Sequence, residues 1–151
     1  RSPQVAKAVY QQGHWLGLHG YEHRSFPRLS AEALQQSLTK NQIAIANACG
    51  LAPLKVQDVR PPNGLFTPKT LKLLRQWQYR PVMWSVVPED WTSPGINTVV
   101  ERVMKQVQNG SIIVLHDGLH GGQDVAAITA QLIPRLLERD YSFVTIKKLW
   151  G

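Results

Sequence analysis

Two histidines stand four residues apart in the run His19-Gly20-Tyr21-Glu22-His23. Neutral imidazoles are common zinc ligands, and a catalytic zinc is usually held by three protein groups and a water. On spacing alone, two unrelated loop histidines are the better reading, and only their place at a strand end brings metal binding level with it. Arg60 opens a second segment, Arg60-Pro61-Pro62-Asn63-Gly64, where two prolines stiffen a turn beside a guanidinium that stays charged. Its planar fork could orient a carboxylate or a substrate oxygen, although pairing with Asp58 or capping a helix is the better reading in isolation. Glu89-Asp90-Trp91 sets a carboxylate beside an indole whose face suits the C–H surface of a sugar. The alternative is a buried tryptophan, with Asp90 capping nearby backbone. The apolar run Ile112-Ile113-Val114-Leu115 ends in His116-Asp117-Gly118, and a histidine there is a candidate general acid or base. His116 is read as functional. His14, His120 and Cys49 receive no role.

The elements that must position these groups alternate along the whole chain. A helix is expected around Val5–Tyr10, stopping at Gly13, and a strand over His14–His19. Ser30 is a suitable N-cap for a helix that carries Leu34, Leu38 and Ile45 on one face and ends near Cys49 and Gly50. A strand at Val56–Val59 leads into the proline turn. Thr67-Pro68 then starts a helix with Leu71, Leu74 and Trp77 facing inward. Further strands are expected at Pro81–Val87, Ser111–Leu115 and Tyr141–Thr145, with helices at about Thr98–Gln108 and Asp124–Arg139. Strands separated by helices imply βαβ units and a parallel sheet, whose ligands sit at the C-terminal strand ends. His19, Arg60, Asp90 and His116 each fall at or after such an end, as an active-site rim requires.

The 151 residues are 43% hydrophobic, enough to bury a core and too apolar for a disordered tail. No stretch approaches the roughly 18 apolar residues of a membrane span. The single cysteine rules out an intrachain disulfide and a Cys-rich zinc module. A net charge of +7 permits an anionic partner. The basic residues are scattered, however, with no run longer than two and no aromatic-basic recognition motif, so no nucleic acid is expected as a partner.

Taken in order, the motifs resemble the polysaccharide deacetylase family, the NodB-homology domain of carbohydrate esterase family 4. Gly13 through His23 resembles its G-H-E-(L/I)-(G/A)-x-H-(S/T)-x-x-H element, and Arg60-Pro61-Pro62-Asn63-Gly64 its R-P-P-x-G element. Trp84 through Trp91 is similar to its W-x-x-x-x-x-D-W stretch, and Ile113-Val114-Leu115-His116-Asp117 to its L-H-D element. The resemblance covers essentially the whole chain. It implies an α/β fold, a distorted (β/α) barrel, and a metal-dependent hydrolase that removes acetyl groups from N-acetylglucosamine-containing polysaccharide. His19 and His23 would be two of three ligands to a divalent metal, usually zinc. His116 would protonate the leaving amine, Asp90 would hydrogen-bond and tune it, and Arg60 would orient the catalytic base. Trp91, Leu115 and Pro62 would shape the substrate groove. Family habit places such proteins outside the cell, in the periplasm or at the cell surface.

The family's opening T-F-D-D-G-P motif is missing, and no Asp-Asp pair occurs anywhere in the chain. That motif supplies the base and the third metal ligand. Residues 1–151 are therefore expected to be the C-terminal portion of one such domain, with about five strands and a barrel incomplete at its N-terminus. The third ligand, an aspartate, is expected upstream of Arg1, on an N-terminal segment of the same protein that completes the barrel. Ser85 and Val87 replace acidic residues common before the Asp-Trp pair, and Gly20 replaces the usual Ser or Thr. Two other functions are carried alongside. One is a carbohydrate-binding domain that has lost its base. The other is a basic nucleic-acid-binding domain, which would need a contiguous Lys/Arg face.

Overall fold

A computed structural model describes residues 2–118 and 122–150. His120 lies outside them. The chain forms two compact units, Arg1–Met83 and Trp84–Gly151.

In the first unit, α1 (Pro3–Gln11) lies against α2 (Ala31–Cys49), the longest helix. Both ends of α2 follow from single residues. The Ser30 hydroxyl accepts the Ala33 N–H at 3.2 Å, and Gly50 closes the last turn with a left-handed φ of 67°. Thr67 and Pro68 start α3 (Pro68–Gln76) as its sequence requires, with the Thr67 hydroxyl accepting from Thr70 N–H. Leu34 and Leu38 of α2, Leu74 of α3, Leu18, Val56 and Val59 form the core, with Phe26 driven into it from a short 3-10 turn over Phe26–Arg28.

Three extended segments run parallel across this core. Leu18 bridges Val59, and β1 (Asp58–Val59) pairs with β2 (Arg80–Pro81). The backbone bonds Leu18 N–H to Asp58 O (2.7 Å), Arg60 N–H to Leu18 O (2.8 Å) and Val82 N–H to Val59 O (2.8 Å) fix the register. Gly17 is needed for this approach, because a Cβ there would come within 3.1 Å of the Asp58 carbonyl oxygen. At the N-terminal ends, the buried Asp58 carboxylate accepts from Trp15 Nε1 (2.5 Å) and from Arg80 Nε (2.5 Å) and Nη2 (3.0 Å).

The second unit packs α4 (Ile96–Gln106) against α5 (Val125–Leu137), and α6 (Ile146–Trp150) ends the described chain. Ile128, Leu132 and Leu136 form a stripe one turn apart on α5, meeting Val99, Val100, Val103 and Met104 of α4. Val86 bridges Ile113 in parallel, and Val114 N–H bonds to Val86 O at 3.1 Å.

The expected strands are shorter than their apolar runs. His14–His19 pairs at Leu18 and Ser111–Leu115 at Ile113, while the run Pro81–Val87 is divided between the two units at Met83. Tyr141–Thr145 is not a strand. Phe143 and Val144 are exposed, and no ladder bonds form along this segment, so its alternation alone does not make a strand. Among the described residues, two short strands and isolated bridges stand where five strands were expected. No helix among the described residues is long and apolar enough to cross a membrane.

Leu38, fully buried on α2, sets the scale of core stability. Leu38→Ala should destabilise the protein by about 2–5 kcal/mol in chemical denaturation, whereas a loss under 1 kcal/mol would contradict its central place.

Candidate active site

In the first unit, the strand that carries Leu18 delivers His19 directly beyond its last backbone bond to β1. His19 Nδ1 lies 2.6 Å from the Arg60 carbonyl oxygen. A carbonyl can only accept, so Nδ1 carries a proton. The His23 ring stands edge-on to that of His19, with centroids 4.8 Å apart. Two imidazoles on one tetrahedral ion, with nitrogens ~2.0–2.1 Å from the metal, would stand roughly 5 Å apart centre to centre. The pair therefore fits two positions of such a site. His23 holds a left-handed backbone, φ 55°, which costs a non-glycine residue about 1–3 kcal/mol and must be offset by the loop around it. Among the described residues, no group of three His, Cys, Asp or Glu side chains is arranged to hold a metal ion.

Arg60 meets this loop through its backbone carbonyl, while its side chain turns to a neighbouring segment. Its Nε donates to the Val82 carbonyl at 3.2 Å, and burial pushes its guanidinium below the usual arginine range. Asp58, the partner that a purely structural reading would give it, is engaged by Trp15 and Arg80. Pro62 is buried, with its ring within 3.8 Å of a Cβ built on Gly20, and Asn63 Nδ2 donates to Ser25 Oγ at 2.9 Å. The proline turn thus braces the histidine loop.

In the second unit, the Asp90 side chain is fully buried and takes two bonds from one residue. His116 N–H donates to Oδ2 at 2.6 Å, and His116 Nδ1 lies 2.9 Å from Oδ1. As a carboxylate, Asp90 orients the ring with Nδ1–H inward and Nε2 outward. The His116 side chain is 42% exposed, so Nε2 can exchange a proton with a ligand. Trp91 meets the ring edge-on, centroids 5.2 Å apart, and is itself exposed. Leu115 is half-buried against the second core. Arg102 on α4 holds the turn that carries Asp90 through Pro88 O (2.9 Å) and Glu89 Oε2 (3.1 Å).

Comparison with known proteins points to one family. The polysaccharide deacetylase family model matches residues 1–82. The chain is 30% identical over 151 residues to the peptidoglycan-N-acetylglucosamine deacetylase of Bacillus cereus, covering 99% of this chain and 69% of that protein. The chain belongs to the polysaccharide deacetylase family. A chitooligosaccharide deacetylase of Sinorhizobium fredii is 31% identical, over 92% of this chain and 68% of its own length. A solved structure of a BA3943 mutant, described as a carbohydrate esterase family 4 pseudoenzyme with restored activity, superposes with a TM-score of 0.87 at 26% identity. That match covers 99% of this chain and 53% of the BA3943 chain. The chain therefore spans about two thirds of the two deacetylases and about half of the BA3943 mutant.

Within this deacetylase framework, α2 supplies polar groups that motif reading passes over. Asn41 Oδ1 accepts from His19 N–H at 3.0 Å, and Ser37 Oγ accepts from Tyr21 N–H at 2.9 Å. A polar pair one turn apart, set among the apolar residues Leu34, Leu38 and Ile45, was the available signal.

The Asp90–His116 contact makes a direct prediction. An Asn at position 90 has one acceptor and one donor where Asp90 presents two acceptors. Asp90→Asn should therefore cost about 1–3 kcal/mol of stability and shift His116 toward a mixture of tautomers in ¹⁵N NMR. An unchanged Nδ1–H tautomer with unchanged stability would remove Asp90 from its orienting role.

Proposed function

We propose that the complete protein is a metal-dependent hydrolase that removes acetyl groups from N-acetylglucosamine-containing polysaccharide, with peptidoglycan or chitin-like oligomers as substrate. One observation carries this reading. His19 and His116 each have Nδ1 committed to an oxygen acceptor, which fixes the orientation of each ring. The relatives named as peptidoglycan and chitooligosaccharide deacetylases supply the substrate class.

The residues would divide the work as follows. His19 and His23 hold a divalent metal, zinc by the chemistry of two imidazoles, with an aspartate from outside these residues as third ligand. When bound, the metal supplies a Lewis acid for the acetyl carbonyl and an acidified water. The oxygen of the attacking water would bond to the acetyl carbonyl carbon while a carboxylate takes its proton. No Asp-Asp pair occurs in this sequence, so that base is assigned to the same outside segment as the third ligand, and Arg60 orients it. His116, protonated on Nε2, gives its proton to the nitrogen as the C–N bond breaks, leaving acetate and a free amine. Asp90 keeps the imidazole in the orientation this transfer needs. Trp91 and Leu115 border the acyl group and the sugar. Pro62 acts from beneath, through the loop it braces.

The likeness to the BA3943 mutant, an altered pseudoenzyme, keeps a second reading in view, a domain that binds glycan through Trp91 without turnover. Acetate release from N-acetylated chito-oligosaccharides and from peptidoglycan by the complete protein separates the two. Chelator-sensitive release is expected. His116→Ala should lower kcat by about 10²–10⁴-fold while leaving zinc affinity unchanged, and near-normal turnover would reject His116 as the acid. Glycan binding with no acetate released would establish the non-catalytic reading.

A further inference from the structure

The loop that carries both histidines has few backbone partners of its own. Beyond Arg60, the first strand has no ladder bond to hold residues 19–23, and Gly20 turns the chain with a left-handed φ of 76°. Its orientation is set instead by side chains of α2. Asn41 takes the His19 N–H and Ser37 takes the Tyr21 N–H. The Ser37 hydroxyl then donates onward to Glu22 Oε2 at 2.9 Å, so one serine fixes both the backbone and the side chain of the interval between the histidines. Ser37 and Asn41 are one helical turn apart and face the same way. The next residue, Gln42, is buried and donates to the Val56 carbonyl at 2.8 Å, which ties the same stretch of α2 to the segment leading into β1. Two capped ends and the Leu34–Leu38 packing keep α2 rigid.

We propose that Ser37 and Asn41 are positioning residues for the metal ligands. They fix the backbone on either side of Gly20, so that the imidazoles of His19 and His23 hold the spacing one divalent cation requires. An ordinary stabilising role would place their bonds within the core or the helix. Each goes instead to a residue of the ligand loop. Hydrogen bonds outside the ligand sphere typically govern metal affinity by 10–100-fold, because a ligand free to rotate must be ordered when the metal binds. The inference rests on His19 and His23 binding metal, as proposed above.

The test is a competition titration of Zn²⁺ against a chromophoric chelator, using the complete protein and its Asn41→Ala, Ser37→Ala and Ser37→Thr variants. Visible spectra of the Co²⁺ forms and melting curves of the apo forms accompany it. Asn41→Ala and Ser37→Ala should bind zinc about 10–100-fold more weakly with altered Co²⁺ bands, and Ser37→Thr, which keeps the hydroxyl, should recover most of the affinity. Folded variants whose zinc affinity and Co²⁺ spectrum match the parent would overturn the inference and leave the metal reading intact. Failure of the parent itself to bind zinc would overturn the metal reading and this inference with it. If Ser37→Ala unfolds, Asn41→Ala alone decides, since its side chain lies at the edge of the core.

Discussion

A buried carboxylate at the start of β1 sets the register on which the first unit depends. Asp58 accepts from Trp15 and from Arg80, which belong to the neighbouring extended segments on either side. A one-residue slip of either neighbour would leave this carboxylate buried and short of donors, at a cost of several kcal/mol. A slip would also turn each side chain to the opposite face of the sheet. With the register fixed at one end, the other end is determined. His19 emerges one residue past the Leu18 bridge and Arg60 one past Val59, which is how the Arg60 carbonyl comes to meet His19 Nδ1.

The second unit solves a similar problem with a different carboxylate. Asp90 binds the backbone and the ring of His116 together, so the position of the residue and the orientation of its imidazole cannot vary independently. In both units, a histidine is oriented from its Nδ1 side. The acceptor differs, a neutral carbonyl for His19 and a carboxylate for His116. In the proposed roles, a neutral acceptor would suit a metal-binding imidazole and an anionic one an imidazole that delivers a proton.

Much of this was legible in the residues, and the reasons for the rest are physical. Helix signals are local, and Ser30, Gly50 and the Thr67-Pro68 pair act where they stand. Strand signals are not local. The apolar run Ser111–Leu115 forms a single bridge, and Tyr141–Thr145 forms none, because pairing needs a neighbouring backbone that no short window can report. The candidate site residues were recognisable by type, but their partners lie elsewhere in the sequence. Asn41 meets His19 across 22 residues, and a polar pair on an apolar helix face has no local mark of that contact. Phe26 looks like a loop residue between Ser25 and Pro27, yet it is almost wholly buried and seats the histidine loop on the core.

Three histidines would divide the work of the proposed site, and one experiment addresses that division directly. Zinc titrated into the complete protein, followed through the ¹⁵N shifts of the imidazole rings, reports every ring nitrogen at once. The expected result is a metal-bound shift at a ring nitrogen of His19 and of His23, with His116 retaining its Nδ1–H tautomer. Direct coordination of zinc by His116, or silence at His19 and His23, would contradict the account at its centre.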